Sequence, residues 1–308
     1  MIEQVTPERD TPIHSAPRQG AIEPMPAAPT GWVRRHPIAA FFTIALAFSW
    51  AAWLPWAFGE QEGAAAALFI VGGLGPPIAA AIVVRATGGS VRAWARGLLD
   101  WRVPGRYWAF ALGLGPALLL VINAALAMIG YEVDLAALPE RVLNWIVSLV
   151  VIAIVGGGLE ELGWRHFALP RLQRRFSPLA ATFLLGFVWG AWHIPAYGTP
   201  LAIVVPLVLA TFYTWLYNAS GSVLLCVVLH GNITASIDQL LLTRDSTTVD
   251  LTIFGAYVAA TVAVIVFTKG RLGYRTRADE RLPGEPQAIE AVPSEALPGE
   301  TALSPTPG

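Results

Sequence analysis

The sequence predicts an all-α fold: a polytopic membrane protein built as a bundle of about eight transmembrane helices with disordered tails. Three observations predict it. Hydrophobic residues make up 55% of the 308 and charged residues only 13%, against roughly 25% charged in soluble domains. Mean hydropathy is +0.56. The charges are segregated into short connectors between apolar runs, each close to the roughly 20 residues that cross a bilayer core.

Taken in order, the runs are Ile38–Phe58, Ala64–Val84, Tyr107–Ile129, Leu143–Leu162, Leu179–Ile194, Leu201–Tyr217, Ser222–Leu242 and Leu251–Thr268. The first begins too late, and is too long, for a cleavable signal peptide. The fifth and sixth are short and separated only by Pro195–Pro200. With the N-terminus inside, eight crossings place 18 of the 20 Lys and Arg in inside segments, leaving Arg141 and Arg244 outside. That is the asymmetry of the positive-inside rule, and it puts both termini in the cytoplasm. Residues 1–30 and 278–308, rich in Pro, Ala, Glu, Thr and Ser, flank a membrane domain of 31–277. Such composition buries too little apolar surface to order itself, so both tails are expected to be disordered.

The same arithmetic excludes function classes. A net charge of -1 excludes nucleic-acid binding by bulk charge. The single cysteine, Cys226, allows no internal disulfide and no cysteine-only metal cluster.

Ionisable groups inside apolar runs are costly and mark function. The fourth run ends Gly156-Gly157-Gly158-Leu159-Glu160-Glu161-Leu162-Gly163-Trp164-Arg165, the fifth carries His193, and the seventh His230 and Thr234. Adjacent helical residues point about 100° apart, so the two glutamates face different ways. Glu161 and Arg165, four apart with the acid first, suit an ion pair. Glu160 has no partner in its own helix and suits a general base. Gly186 and Gly190 are a small-residue pair that permits close helix approach, expected here against the fourth helix, which would bring His193 toward Glu160. Thr234 follows His230 on the same face, whereas Asn232 lies roughly opposite and cannot easily serve that site.

Glu160-Glu161-x-x-x-Arg165, Trp189-x-x-x-His193 and His230 occur in the order and spacing of three motifs over residues about 145–240. In this the sequence resembles the type II CAAX prenyl proteases, a family also called the CPBP intramembrane metalloproteases, which includes bacteriocin self-immunity proteins. It departs twice. Thr234 stands where Asn or Asp is usual, and His166 stands where Gly often follows the arginine, expected here as a surface histidine. The resemblance implies a protease-like core of about 140–242 that hydrolyses a peptide bond of a membrane-associated protein or peptide, lipidated ones included.

The residues allow a concrete version. Glu160, helped by His193, would deprotonate a water. His230 with Thr234 would donate to the developing oxyanion, each donor worth roughly 3 kcal/mol. Zn2+ on Glu160, His193 and His230 is the alternative, since two His and one Glu form a common zinc ligand set. No cofactor is the preferred reading, because the ligands come from three helices without HExxH-type spacing. The competing function class is a non-proteolytic membrane protein: an immunity protein, scaffold or transporter. Depth poses a difficulty. Glu160 lies near the end of its run and His193 about 15 residues into its own, a difference of roughly 10 Å. A fourth helix continuing to Leu169, stopped by Pro170, with a tilted fifth, would reduce it; the cavity is then expected to open to the cytoplasm. The topology itself is testable: reporter fusions at Gly198 and Asp245 are expected to report the outside, and a cytoplasmic signal at either overturns it.

Overall fold

A computed structural model of the chain describes residues 31–59, 61–243, 246–275 and 282–285. The tail expected at 1–30, all of 278–308 except 282–285, and Arg244 lie outside the described residues. The described part is helical: α1 Pro37–Phe58, α2 Gly63–Gly73, α3 Gly75–Ala86, α4 Gly105–Met128, α5 Leu138–Ile154, α6 Pro178–Trp192, α7 Val204–Ser220, α8 Val223–Leu240 and α9 Thr247–Phe267.

Every apolar run is helical, but eight full crossings are not confirmed. Five segments are long and apolar enough to span, and α2 with α3, bent by 45° at their break, can make a sixth. The other two are the short ones. The 15 residues of α6 and 17 of α7 rise about 22 and 26 Å, less than the hydrocarbon core of about 30 Å.

Helix α8 is the centre of the bundle. Of its span 61% is buried, against 11–33% for the other four long spans. It packs most extensively on α5 and then on α4. Polar groups on α8 are satisfied across these contacts. Trp145 Nε1 of α5 donates to Asn232 Oδ1 at 3.1 Å, and Asn232 Nδ2 donates to the Ala111 carbonyl of α4 at 3.0 Å. Asn123 of α4 closes the far end, donating to the Leu240 carbonyl and accepting from the Leu242 amide. Gly186 and Gly190 do not dock α6 on α5 as the sequence suggests. A Cβ on Gly186 would meet Ala210 and Leu207, and one on Gly190 would meet Ile203, so the small-residue face receives α7 and the turn before it.

The chain between α5 and α6 is one continuous element. After Gly156-Gly157-Gly158 it makes a 3-10 turn at Gly158–Glu160, a π-helix over Leu162–Ala168 and a last α turn at Leu169–Gln173. Pro170 lies within this element and does not stop it. The element therefore passes Leu162 by some eleven residues, about three turns. Glu160 and His193 are then similarly remote from the turn that joins the two segments, which removes the depth difference.

At the arginine-rich end the chain closes on itself. His166 is buried rather than at the surface: its Nε2 meets the Trp94 carbonyl at 3.1 Å and its Nδ1 the Tyr217 hydroxyl at 3.0 Å. Arg171 donates to the carbonyls of Phe167 and Pro283, and Arg174 pairs with Glu285 at 2.8 Å. Residues 282–285 are thus held against the helical body, although their composition suggests disorder.

Burial pushes the His166 imidazole from 6.5 down to about 4, with the Arg171 charge adding and the Trp94 hydrogen bond opposing. The folded protein keeps this ring neutral where the unfolded chain protonates it. The resulting stability is complete above pH 6.5 and is lost as pH falls toward 4, by about 3 kcal/mol in all. Thermal unfolding of the detergent-solubilised protein should show a midpoint that drops across this window, and His166→Gln should flatten the drop; an unchanged profile contradicts this account.

Candidate active site

The site begins where α5 breaks. Gly157 adopts φ 124°, ψ -24°, a region closed to most residues with a Cβ. The turn it allows swings Glu160 and Glu161 into the interior, where they are 4% and 0% exposed.

Glu161 lies at the heart of an ionic cluster. Arg165 Nη1 is 2.9 Å from its Oε2, and His230 Nδ1 of α8 is 2.9 Å from its Oε1. The Arg165 guanidinium lies between two rings, 4.2 Å from Trp189 of α6 and 4.4 Å from Tyr213 of α7. A carboxylate held by arginine can only accept. His230 Nδ1 therefore carries the proton toward Glu161, and its Nε2 faces away.

Glu160 points the other way, and its two oxygens differ. Oε2 accepts from two indoles, Trp189 Nε1 at 2.9 Å and Trp164 Nε1 at 3.3 Å. Oε1 faces the backbone of Gly157. A Cβ placed on Gly157 would lie 3.0 Å from Glu160 Oε1 and 2.9 Å from His230 Nε2. The missing side chain lets a carboxylate oxygen and an imidazole nitrogen approach the same face of Gly157.

His193 follows the last residue of α6. Its Nδ1 donates to the Trp189 carbonyl at 2.9 Å. Trp189 thus joins His193, through its backbone, to Glu160, through its indole. Beside it lies a cavity of about 550 Å³, lined by Trp189, His193, Tyr213, His230, Thr234 and residues between Tyr197 and Leu209. That volume suits a ligand site. Glu160 is absent from the lining, but Trp189, which donates to it, and His230, which meets it over Gly157, both line the cavity. The mouth is not at the arginine-rich end, as expected from the sequence. The exposed lining residues, Tyr197 and Val205, belong to the opposite end, where α6 passes into α7.

The structure therefore joins Glu160 and His230 across Gly157, puts His193, His230 and Thr234 around one cavity, and ties Glu161 and Arg165 beneath it. Sequence reasoning misses three contributors. Trp164, four residues on, gives Glu160 a partner in its own element, where the sequence reading finds none. Gly157 reads only as part of a helix end. Tyr213 carries no signal in the sequence around it. For metal the donors are poorly arranged: among the described residues, no three His, Cys, Asp or Glu side chains converge as a ligand set, and Glu160 Oε2 is already committed to two N–H groups.

Residues 142–235, which contain this whole arrangement, match the family model described as type II CAAX prenyl endopeptidase Rce1-like. The match supports the CAAX protease family for this segment. A curated relative, CAAX prenyl protease 2 of Methanococcus maripaludis, is 25% identical over 141 residues, which cover 40% of this chain and 51% of the relative. The chain thus spans about half the length of the CAAX protease it matches. These two likenesses support a CAAX-protease-like function in a multi-pass membrane protein.

Within this CAAX protease-like core, Glu161 has a structural duty that its neighbour lacks. Glu161→Gln leaves the Arg165 charge buried without its counter-ion, a loss of about 3–5 kcal/mol. The variant is expected to give poor yield and a lowered unfolding midpoint in detergent. Parental stability with lost activity would assign Glu161 to chemistry alone.

Proposed function

We propose that the chain is an intramembrane endopeptidase that hydrolyses a peptide bond of a membrane-associated peptide or protein by a water activated on Glu160. The observation that carries this reading is the convergence of Glu160 Oε1 and His230 Nε2 on the bare face of Gly157, each about 3 Å from where a Cβ would stand. A water bridging these two atoms would give up its proton to Glu160 Oε1 while held by His230 Nε2, the arrangement that general-base catalysis needs.

Glu160 Oε1 takes the water's proton as its oxygen attacks the scissile carbonyl. The two indoles hold Oε2, so the carboxylate cannot turn away. Charge balance favours a protonated His230, because Glu160, Glu161 and Arg165 together leave one negative charge uncompensated. Nε2–H then donates to the developing oxyanion, with the Thr234 hydroxyl as a second donor from the same helix face. Glu160 returns the proton to the leaving amine. His193, with Nδ1–H fixed on Trp189, offers Nε2 as an acceptor for the attacking water or a substrate amide. The cavity walls contributed by Ala202, Val205, Pro206 and Leu209 suit an apolar or lipid-modified substrate. No metal is required in this scheme, and both termini are assigned to the cytoplasm by the distribution of basic residues.

The test is cleavage of a membrane-anchored peptide by purified protein in liposomes, with and without a strong chelator. Glu160→Gln keeps its volume and can still accept from the indoles, so the protein should fold while cleavage falls at least 100-fold, as for loss of a general base (about 10²–10⁴). His230→Ala should also slow turnover, and Thr234→Asn should leave activity intact or raise it. Undiminished cleavage by Glu160→Gln ends this mechanism. Loss of cleavage with chelator, restored by zinc, would keep the protease and overturn its metal-free form.

A further inference from the structure

One carboxylate of α8 has no part in the chemistry drawn so far. Asp238 follows His230 by eight residues and Thr234 by four, so the three lie within about 80° of one another around the helix. Asn232 and Ser236 occupy the other side, where both meet Trp145 Nε1 of α5 at 3.1 Å. His230 and Thr234 line the cavity, and Asp238 stands one turn beyond them, toward the end of α8. Its charge, like that of Glu160, bears on the Tyr197 hydroxyl. Tyr197 lines the cavity mouth and stacks on His193, with ring centroids 5.4 Å apart. Asp238 is exposed and pairs with no cation among the described residues.

The neighbouring connectors add to this charge. Between α1 and α2, between α4 and the first turn of α5, and between α8 and the first turn of α9, the sequence holds seven Asp and Glu besides Asp238. Its cations there are Arg141 and Arg244 alone. Two hydrogen bonds tie these parts of the chain to the end that carries the mouth. Trp50 Nε1 of α1 donates to the Trp192 carbonyl, beside His193, at 3.0 Å, and the Asp134 amide donates to the Leu242 carbonyl at 2.8 Å. The described lining itself holds no carboxylate, lysine or arginine, so Asp238 is a fixed charge at its threshold. An anionic threshold concentrates cationic ligands and repels anionic ones.

We propose that Asp238 selects the substrate: the peptide that enters carries a lysine or arginine, and Asp238 receives that cation at the cavity mouth. The proposal rests on the endopeptidase reading and names the class of peptide it acts on. The eight residues from His230 to Asp238 rise about 12 Å, and an extended peptide covers about 3.3 Å per residue. The cation therefore falls within about four residues of the bond that is cut.

The experiment uses the full chain in phosphatidylcholine liposomes and a library of peptides anchored by an N-terminal palmitoyl chain, with a randomised stretch beyond the anchor. Mass spectrometry of the products reports both the cut and the residues around it. The parent should favour Lys and Arg over Asp and Glu at least about fivefold at one position within about four residues of the cut, since one set gains an ion pair and the other meets a like charge. The preference should shrink as salt is raised, because an exposed pair is screened. Asp238→Asn should remove it, and Asp238→Lys should reverse it toward Asp and Glu. Asp238 is exposed, so both variants are expected to fold, and a reversal is a gain that misfolding cannot produce. Glu132→Gln, which changes an exposed acid outside α8, should leave the preference unchanged. A loss there as large as with Asp238→Asn assigns the preference to the general field of the connectors and overturns the proposal. Cleavage without charge preference, or a preference that survives both Asp238 substitutions, also overturns it and leaves the endopeptidase standing. A parent that cuts no peptide, or cuts no faster than Glu160→Gln, overturns the endopeptidase reading and this proposal with it.

Discussion

Arg165 carries a positive charge where no part of its side chain meets solvent, and the middle of the bundle is arranged around compensating it. Glu161, one turn earlier, supplies the counter-charge. Trp189 of α6 and Tyr213 of α7 supply ring faces on either side, an arrangement that stabilises a desolvated cation. Through its other oxygen, Glu161 holds His230 of α8. Three helices and the element between α5 and α6 therefore converge on a single guanidinium. Two of its nitrogens, Nε and Nη2, make no hydrogen bond among the described residues, so the rings and the one carboxylate carry the whole compensation.

This arrangement separates the duties of two adjacent carboxylates. Glu161 is consumed by structure, since any loss there exposes a buried charge. Glu160, turned away by the helical rotation, keeps one oxygen for two indoles and the other for the face of Gly157. The same Trp189 that covers Arg165 also steadies Glu160 and, through its carbonyl, sets the tautomer of His193. One side chain thus couples the charge cluster to the reactive face, and the position of the base follows from the position of the arginine.

Much of this is legible in the sequence. Apolar runs specify helices because nothing else satisfies their backbone in lipid, and the spacing of Glu161 to Arg165 specifies their pairing. The errors begin where a charge looks like a boundary. Arg165 ends the fourth run in the sequence because an arginine in hydrocarbon is costly; the aromatic faces that offset the cost come from helices 24 and 48 residues away. Gly186 and Gly190 announce a close approach but not the partner, since small residues describe a surface and not what covers it. His166 gives no sign of burial, as its hydrogen bonds run to Trp94 and Tyr217, both distant in sequence.

The short helices acquire a reason in this light. Irregular backbone at membrane depth is tolerated where it is enclosed by protein or lines a cavity. Two such stretches border the site: the glycine break after α5 and the connection from His193 to Val204. The first delivers Glu160 and leaves the face of Gly157 bare; the second delivers His193 and forms the mouth of the cavity. Had α5 and α6 run straight for a full crossing, Glu160 would face along a helix side and His193 would be covered by the next turn. The interruption of two helices is what brings a carboxylate, an imidazole and an open space to one place, and the buried Arg165 cluster between them holds that interruption closed against lipid.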